Sequence, residues 1–274
     1  MNPQAGLSHH WTIQEIPYGS IDPQLARSDP YLLYVLAGAS FVEITADLYA
    51  ANLTQYFADD SGISRWLEER WAPEETQHGL ALKRYVETVW PELDWEKAYQ
   101  GFYAEYAPYC AVDKLGPTRA LELAARCVVE TGTATFYTTL AKASPEPVLA
   151  ELATRIKDDE SRHYNLFLYH FKRMETSEGV GRGAVLAALR ARIGELDSED
   201  LYYASKHVFQ VLHPGHPFTR SDYQRIKHHL ARIARHHYPY RTAARMLLRP
   251  LRLGAILQSA AIPLLVLFGW LLVP

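Results

Sequence analysis

The sequence predicts an all-α protein, a four-helix bundle with additional helices and a hydrophobic C-terminal helix. Apolar residues recur at helical spacing through long segments, and Pro, Gly and Asp clusters separate these segments. No segment shows the sustained alternation of apolar and polar residues that is typical of strands. Hydrophobic residues make up 48% of the 274 residues, which is ample for a large core.

Four long segments predict the main helices of the bundle. The first runs over about 31–58 and ends at the DDSG string, and the second covers roughly 63–90, before Pro91. The third spans about 118–142 and is followed by SPEP, and the fourth runs over 148–176. Four long helices with short connections favour a bundle.

Shorter helices are expected beside the bundle. The pattern predicts one over 93–107 and two more near 184–195 and 198–212. After the breaker HPGHP, a basic helix is expected over 219–248. These segments suggest four regions along the chain: an irregular N-terminal arm 1–30, a helical domain 31–212, a basic helical extension 213–252 and a hydrophobic segment 253–274.

Composition narrows the function classes. The formal net charge of −3 gives no electrostatic reason to expect nucleic-acid binding. The two cysteines, Cys110 and Cys127, form no CxxC pair, which makes a zinc site or a disulfide framework unexpected and suits a reducing cytoplasm. The first twenty residues lack the basic and apolar stretches of a signal peptide.

The C-terminal segment is long and apolar enough to suggest a membrane anchor. Residues 254–274 carry no charged side chain, and four arginines lie just upstream, which favours the cytoplasmic face of a membrane. The alternative is a buried or interface helix, since Gln258 and Ser259 reduce its hydropathy. The upstream segment 219–248, with two HH pairs, is either a solvated helix face, a metal-binding tract or a surface for anionic lipid or an acidic partner.

Two ExxH strings are the strongest sign of chemistry. Residues three apart on a helix project from one face, so each string can direct a carboxylate and an imidazole to the same point. One string lies on the second main helix and the other on the fourth, and the first and third helices each carry a glutamate on an apolar stripe. Together they predict a di-iron or di-manganese carboxylate site, with ligands Glu43, Glu75, His78, Glu130, Glu160 and His163.

Electrostatics supports a joint role for these residues. A buried ionised carboxylate costs several kcal/mol unless it is paired or bound to a metal. Two divalent cations would offset four converging carboxylates, and oxygen and imidazole ligands without thiolate suit Fe or Mn. Two alternatives remain open, because Asp47 lies one turn from Glu43 and Glu122 lies two turns before Glu130.

The motifs around these residues resemble those of the acyl-[acyl-carrier-protein] desaturases of the ferritin-like superfamily, over roughly residues 35–175. The most specific string is WAPEETQHG at 71–79, and VETGTATF at 129–136 and KDDESRH at 157–163 are similar as well. The resemblance implies a ferritin-like fold, two Fe²⁺ ions on the six residues above and O₂ as co-substrate. It also implies an acyl-carrier-protein or other acyl thioester substrate, a ferredoxin-type electron donor and a homodimer.

Two further residues acquire roles through this resemblance. Thr133, one turn beyond Glu130, matches a threonine linked to oxygen activation, although a core threonine bonded back to a carbonyl explains it equally well. Asp159 matches an acid that holds the free N–H of a ligating histidine. The chain departs from the family in its shorter length, its hydrophobic tail and Pro73, which lies two residues before Glu75.

Other functions remain compatible with the same ligands. A related di-iron hydroxylase or N-oxygenase would use the same six residues, and so would a ferritin-like protein that handles iron without oxygenase activity. The hundred or so residues outside the bundle argue against a storage cage of uniform four-helix subunits. A third alternative is a degenerate bundle that serves as a membrane-bound scaffold, and the complete set of six residues argues against it.

Overall fold

The computed structural model describes residues 10–110, 115–195 and 199–272, and within these ranges the chain forms twelve α-helices and no strand. A π-helical segment, Leu67–Trp71, and several short 3₁₀ segments connect them. The helices are α1 Pro23–Arg27, α2 Leu32–Tyr56, α3 Ser61–Trp66, α4 Ala72–Val89, α5 Trp95–Tyr106, α6 Arg119–Ala143, α7 Pro147–Glu178, α8 Arg182–Glu195, α9 Glu199–Leu212, α10 Arg220–His237, α11 Tyr240–Leu248 and α12 Ala255–Leu272.

The fold is an all-α, ferritin-like helical bundle, as the sequence predicts. Helix α2 packs mainly on α4, α6 packs mainly on α7, and the two pairs form the four-helix core. The apolar interior is divided into two clusters along the bundle. One contains Phe41, Tyr85 and Ile156, and the other contains Leu53 and Phe167. Polar residues of all four helices lie between these clusters, and they form the site described below.

Side-chain caps explain where the helices begin and end. Asp60, Asp94 and Thr118 accept hydrogen bonds from the first-turn N–H groups of α3, α5 and α6, and buried Glu146 does the same for α7. Helix α7 ends at Gly179, which has a left-handed backbone (φ 65°) that glycine adopts without strain. The boundaries of the four main helices therefore lie close to the predicted ones.

The second main helix differs from the continuous helix that is expected over 63–90. It consists of α3, the π-helical segment and α4, and Pro73 lies in the first turn of α4. Proline has no N–H to donate to the carbonyl four residues earlier, so the helix is reorganised immediately before it. This places the wider π-helical turn one turn before Glu75.

The prediction of a single basic helix over 219–248 is wrong. The chain breaks after α10 and resumes in α11, because Pro239 disfavours a helical residue before it and Tyr238 adopts an extended conformation (φ −66°, ψ 132°). In the preceding helix, His229 donates to Asp29 at 2.7 Å and packs on Tyr31. At least one histidine of the HH pairs thus serves an intramolecular contact.

Residues 10–27, near the start of the described chain, pack against the bundle. From residue 10 onward the expected N-terminal arm forms 3₁₀ turns and α1, and it buries Trp11, Ile16 and Tyr18 against the bundle. Residues 1–9 of the arm and residues 273–274 of the hydrophobic segment lie outside the described residues. Within the described part of the chain, α2 is the helix that is long and apolar enough to cross a membrane, but 67% of its apolar 18-residue stretch is buried in the core. Helix α12 contains a shorter apolar stretch.

Candidate metal centre

Four helices bring the six predicted residues together at the centre of the bundle. Glu43 comes from α2, the first ExxH pair from α4, Glu130 from α6 and the second ExxH pair from α7. All six side chains are buried, with relative exposures between 0 and 6%. They form two groups, and within each group the potential ligand atoms lie within 4.8 Å of one another. The first group is Glu43, Glu75, His78 and Glu160, and the second is Glu75, Glu130, Glu160 and His163.

The two groups share Glu75 and Glu160. Each of these glutamates comes from one ExxH string and has two carboxylate oxygens, so it can contact two neighbouring cations. The other residues belong to one group each, one glutamate and one histidine per group. This arrangement fits two adjacent ions with two shared carboxylates and one separate Glu–His pair for each ion.

Each imidazole directs Nδ1 toward the cluster. His78 Nδ1 lies 3.1 Å from Glu160 Oε1 and 3.8 Å from Glu43 Oε2. His163 Nδ1 lies 3.0 Å from Glu75 Oε1 and 3.7 Å from Glu130 Oε2. Each histidine therefore faces the shared glutamate of the other ExxH helix, and the two halves of the site are related by an approximate twofold arrangement.

The opposite nitrogen of each imidazole binds an acid outside the cluster. His78 Nε2 lies 3.0 Å from Asp159 Oδ2, and His163 Nε2 lies 2.8 Å from Glu74 Oε2. An N–H donated to these carboxylates leaves the Nδ1 lone pair available for a cation. The resemblance indicated Asp159 for this position, whereas Glu74 was missed. A signal for it exists in the sequence, because an acid directly precedes the ExxH glutamate in both strings.

An arginine and the N-terminal arm cover this outer layer. Arg162 forms salt bridges with both Asp159 and Glu74, so it links the two acids that hold the histidines. Trp11 donates its indole N–H to Asp159 at 2.8 Å and stacks parallel to His78, with the ring centroids 6.1 Å apart. Composition placed Trp11 in an irregular arm, and no motif marked it as a neighbour of the site.

Two hydroxyl groups bind the cluster carboxylates directly. Thr133 lies 2.5 Å from Glu160 Oε2 and also close to the carbonyls of Val129 and Glu130. The carboxylate is its nearest acceptor, although the helical carbonyls of the alternative interpretation lie within reach. Tyr137, which is 1% exposed, donates to Glu43 Oε1 at 2.5 Å. One hydroxyl proton thus lies next to Glu160, which both groups share, and another lies next to Glu43, which belongs to one group.

The pKa values in the cluster show how strongly its carboxylates compete for positive charge. Burial raises the pKa of Glu75 well above its usual range, and Glu160 and Glu43 add to this effect. Burial likewise raises the pKa of Glu130 to about 8. For His78, burial opposes the charged form, yet the hydrogen bond to Asp159 and the nearby carboxylates of Glu160 and Glu43 outweigh it and raise its pKa. Without cations, protons must supply the compensating charge.

The unpaired atoms fit two metal ions. His78 Nδ1, His163 Nδ1, Glu130 Oε2 and Glu160 Oε1 are buried and have no hydrogen-bond partner among the described residues. Buried polar atoms are nearly always paired, yet four of the nine unpaired ones in the described residues are potential ligand atoms of this one cluster; the others belong to Trp71, His170, Arg192 and Ser205. The donor set contains carboxylate oxygens and imidazole nitrogens without thiolate, which suits Fe or Mn better than structural zinc.

The two alternative acids lie outside the cluster. Asp47 is exposed and accepts a hydrogen bond from Thr76 at 3.0 Å. Glu122 is fully buried, but it forms a salt bridge with Arg126 at 2.8 Å and accepts the backbone N–H of Gly116. Neither carboxylate belongs to the two groups of potential ligands.

Comparison with known proteins gives one distant similarity. No family model matches the chain. Among curated proteins, two sequences named "Putative acyl-[acyl-carrier-protein] desaturase DesA2", from Mycobacterium tuberculosis strains CDC 1551 / Oshkosh and ATCC 25618 / H37Rv, are each 31% identical to it over 154 residues. The aligned region covers 53% of this chain and 50% of each relative, so the chain matches about half the length of these proteins.

Proposed function

We propose that this chain is a di-iron, O₂-dependent oxidoreductase that acts on a C–H bond of a fatty acyl thioester. The observation that carries the proposal is the pair of buried ligand groups with two shared glutamates. The similarity to a protein named as an acyl-[acyl-carrier-protein] desaturase supports this class of reaction and substrate.

We assign the two ions from the ligand groups. One would be held by Glu43 and His78 and the other by Glu130 and His163, with Glu75 and Glu160 shared. Two iron ions would supply the redox chemistry with O₂ that amino-acid side chains lack. The two electrons needed beyond those of the substrate would come from a ferredoxin-type donor.

The side chains around the ions have distinct tasks in this proposal. Asp159 and Glu74 accept the Nε2 protons of the two histidines, which fixes the tautomer that offers Nδ1 to the metal. Thr133 holds a proton on Oγ1 beside Glu160, which is the position expected for a group that assists oxygen activation. The apolar clusters on both sides exclude water from the site.

The proposed substrate rests on the similarity to the desaturase, the homodimer on the family resemblance of the motifs, and the membrane contact on the apolar C-terminal segment. We propose an acyl-carrier-protein thioester as substrate, a homodimer as the assembly, and the cytoplasm as the compartment, with the C-terminal segment touching a membrane. The catalytic unit would be residues 31–212, and the arm 1–30 would cover it. The basic extension 213–252 and the hydrophobic segment 253–274 would be separate regions after it. Nucleic acid has no role in this proposal.

The test is the mass of the product. Purified iron-loaded protein is supplied with a saturated acyl-carrier-protein thioester, reduced ferredoxin, its reductase and O₂, and the acyl chain is analysed by mass spectrometry. The proposal predicts loss of two hydrogens, and the Glu160→Ala variant should give no product. An added oxygen would indicate the related hydroxylase, and an unchanged acyl chain with iron bound would favour an iron-handling protein.

A further inference from the structure

The outward face of α12 is an extended apolar surface. Six large aliphatic or aromatic side chains on this helix are more than half exposed. Protein surfaces usually expose such residues singly, so six of them on one helix are unusual. We call this set the α12 face: Ile256 (86%), Leu257 (63%), Leu264 (68%), Leu267 (55%), Phe268 (60%) and Leu271 (63%).

Helix α12 lies lengthwise on the protein rather than projecting from it. Its middle packs through Ile262 on Ala244 and Leu248 of α11. Near its end, the backbone of Gly269 approaches Tyr240 so closely that an added Cβ would lie 3.3 Å from that ring. The neighbouring Trp270 ring receives the guanidinium of Arg235 at 4.6 Å.

Helix α11 is in turn attached to the bundle. The Tyr164 hydroxyl of α7 donates to the backbone carbonyl of Met246 at 2.6 Å, and just before α11 the Tyr238 hydroxyl accepts a hydrogen bond from Thr135 of α6 at 3.1 Å. The order from the centre outward is therefore bundle, α11 and α12. A helix that stood upright across a bilayer would have to give up the contacts at Tyr240 and Arg235.

The surroundings of the α12 face are strongly basic. All 31 Asp and Glu residues lie at or before position 222, whereas eight Lys and Arg residues follow it. Arg241 and Arg245 on α11 and Arg249 in the 3₁₀ turn after it are exposed and recur at four-residue spacing. They form the stripe next to Ala244 and Leu248, which contact α12. An arginine row thus runs along one side of the α12 face.

We propose that α12 is an in-plane anchor on an anionic lipid surface, with the α12 face in the acyl region and the arginines at the phosphate level. A continuous apolar face beside a cationic row matches the chemistry of such a surface. A second copy of the same face would bring two arginine rows together without any acid in the segment to compensate them.

Binding to vesicles tests the charge requirement, and it needs neither iron nor turnover, so it is independent of the proposed chemistry. The full-length protein is mixed with vesicles of phosphatidylcholine alone or with phosphatidylglycerol, and bound protein is separated by flotation. We expect binding to the anionic vesicles. Each arginine near an anionic surface contributes about fivefold, so Arg241→Gln/Arg245→Gln should weaken that binding roughly 25-fold.

A matched control removes the same charge elsewhere. Arg65 on α3 and Lys97 on α5 are exposed, and both helices pack on α2. The Arg65→Gln/Lys97→Gln variant should bind anionic vesicles like the unmodified protein. Equal losses in both double variants, or equal binding to neutral and anionic vesicles, would overturn the role of the arginine row.

A depth measurement distinguishes an in-plane helix from a spanning one. Leu257, Leu264 and Leu271 are exposed and follow at seven-residue spacing, so they share one side of the helix, about 10 Å apart. Each is replaced by cysteine and labelled with a fluorophore, since the native Cys110 and Cys127 are buried. Lipids with quenchers at different depths then report the position of each label on the bound protein.

The in-plane anchor predicts the same shallow depth for all three labels. A label at position 264 that is much deeper than the other two would show that the helix spans the bilayer and would overturn the proposal. A lipid-free dimer that Leu264→Ser/Phe268→Ser dissociates, without vesicle binding by the unmodified protein, would assign the α12 face to a second copy and would overturn it as well.

Discussion

Asp159 and Glu74 hold the two central histidines from outside the ligand cluster. Each acid directly precedes the ExxH glutamate on its own helix and accepts from the histidine of the other helix. The rings are thereby fixed with Nδ1 toward the shared glutamates. For Asp159, burial opposes the charged form, but the hydrogen bond from His78 and the charges of His78 and Arg162 lower its pKa to about 2.

Removing the charge of either acid should weaken metal binding. Asp159→Asn and Glu74→Gln keep the side-chain size but lose the carboxylate that orients the imidazole. We expect a 10- to 100-fold loss of iron affinity for each, the usual range for such partners. Anaerobic Fe²⁺ titration measures it. Glu69→Gln is the control, because Glu69 is exposed on the π-helical segment, and an equal loss in this variant would contradict the orienting role.

The residues at the centre were only partly predictable. The ExxH spacing and the apolar stripes indicated the six converging residues, and their role as ligands remains a prediction. Trp11 could not be anticipated, because its contact with Asp159 joins positions 148 residues apart and depends on the path of the arm. Tyr137 lies on the apolar side of α6, where an aromatic residue is ordinary core, and only the structure shows its bond to Glu43.

Helix α6 carries a buried ion pair in addition to the candidate ligand Glu130. Glu122 is fully buried and Arg126 is 4% exposed, and their side chains are joined at 2.8 Å one turn apart. The guanidinium also lies over the Tyr49 ring at 5.5 Å. The ion pair with Arg126 thus explains the role of Glu122, the alternative to Glu130 that the sequence left open.

Breaking this pair should destabilise the bundle. Glu122→Leu leaves the Arg126 charge buried without its main partner, and we expect a loss of about 3–5 kcal/mol in the free energy of unfolding. Urea denaturation monitored by circular dichroism measures it. The double variant Glu122→Leu/Arg126→Met should recover most of the loss. If the double variant were less stable than the single one, the unpaired charge would not be the cause.

The limits of the helices show which sequence signals are reliable. Caps such as Thr118 and Glu146 and the glycine at 179 give the ends of α6 and α7 close to their predicted positions. Proline effects were harder to judge. Pro73 begins a helix after a π-helical turn, whereas Pro239 ends one, and the outcome depends on packing against neighbouring helices.

At the scale of the whole molecule, the bundle places a polar centre between two apolar clusters. This centre has a cost when cations are absent, because ionised carboxylates are buried near one another. Burial raises the pKa of Glu130 to about 8, above its value in the unfolded chain. The unfolded state therefore releases this proton at lower pH than the folded state does, and the metal-free fold loses stability as the pH rises from about 4.5 to 8.

Neutralising Glu130 should therefore stabilise the metal-free protein while it impairs metal binding. Glu130→Gln should raise the melting temperature of the metal-free form at pH 8 and reduce its dependence on pH between 5 and 8. The same variant should gain less from added Fe²⁺ than the unmodified protein, which gains stability by binding ligand to the folded state. Differential scanning calorimetry of both proteins, with and without Fe²⁺, measures these effects. A lower melting temperature of the metal-free variant would contradict the account.

The most direct test of the central claim is the number of irons that one chain binds. Anaerobic Fe²⁺ titration of the full-length protein should saturate at about two ions per chain. Glu160→Ala, which removes a carboxylate common to both candidate groups, should lose both ions while circular dichroism shows the helices intact. Saturation at a single ion, zinc in place of iron after iron-replete expression, or unchanged iron binding by Glu160→Ala would contradict a two-metal centre built on these six residues.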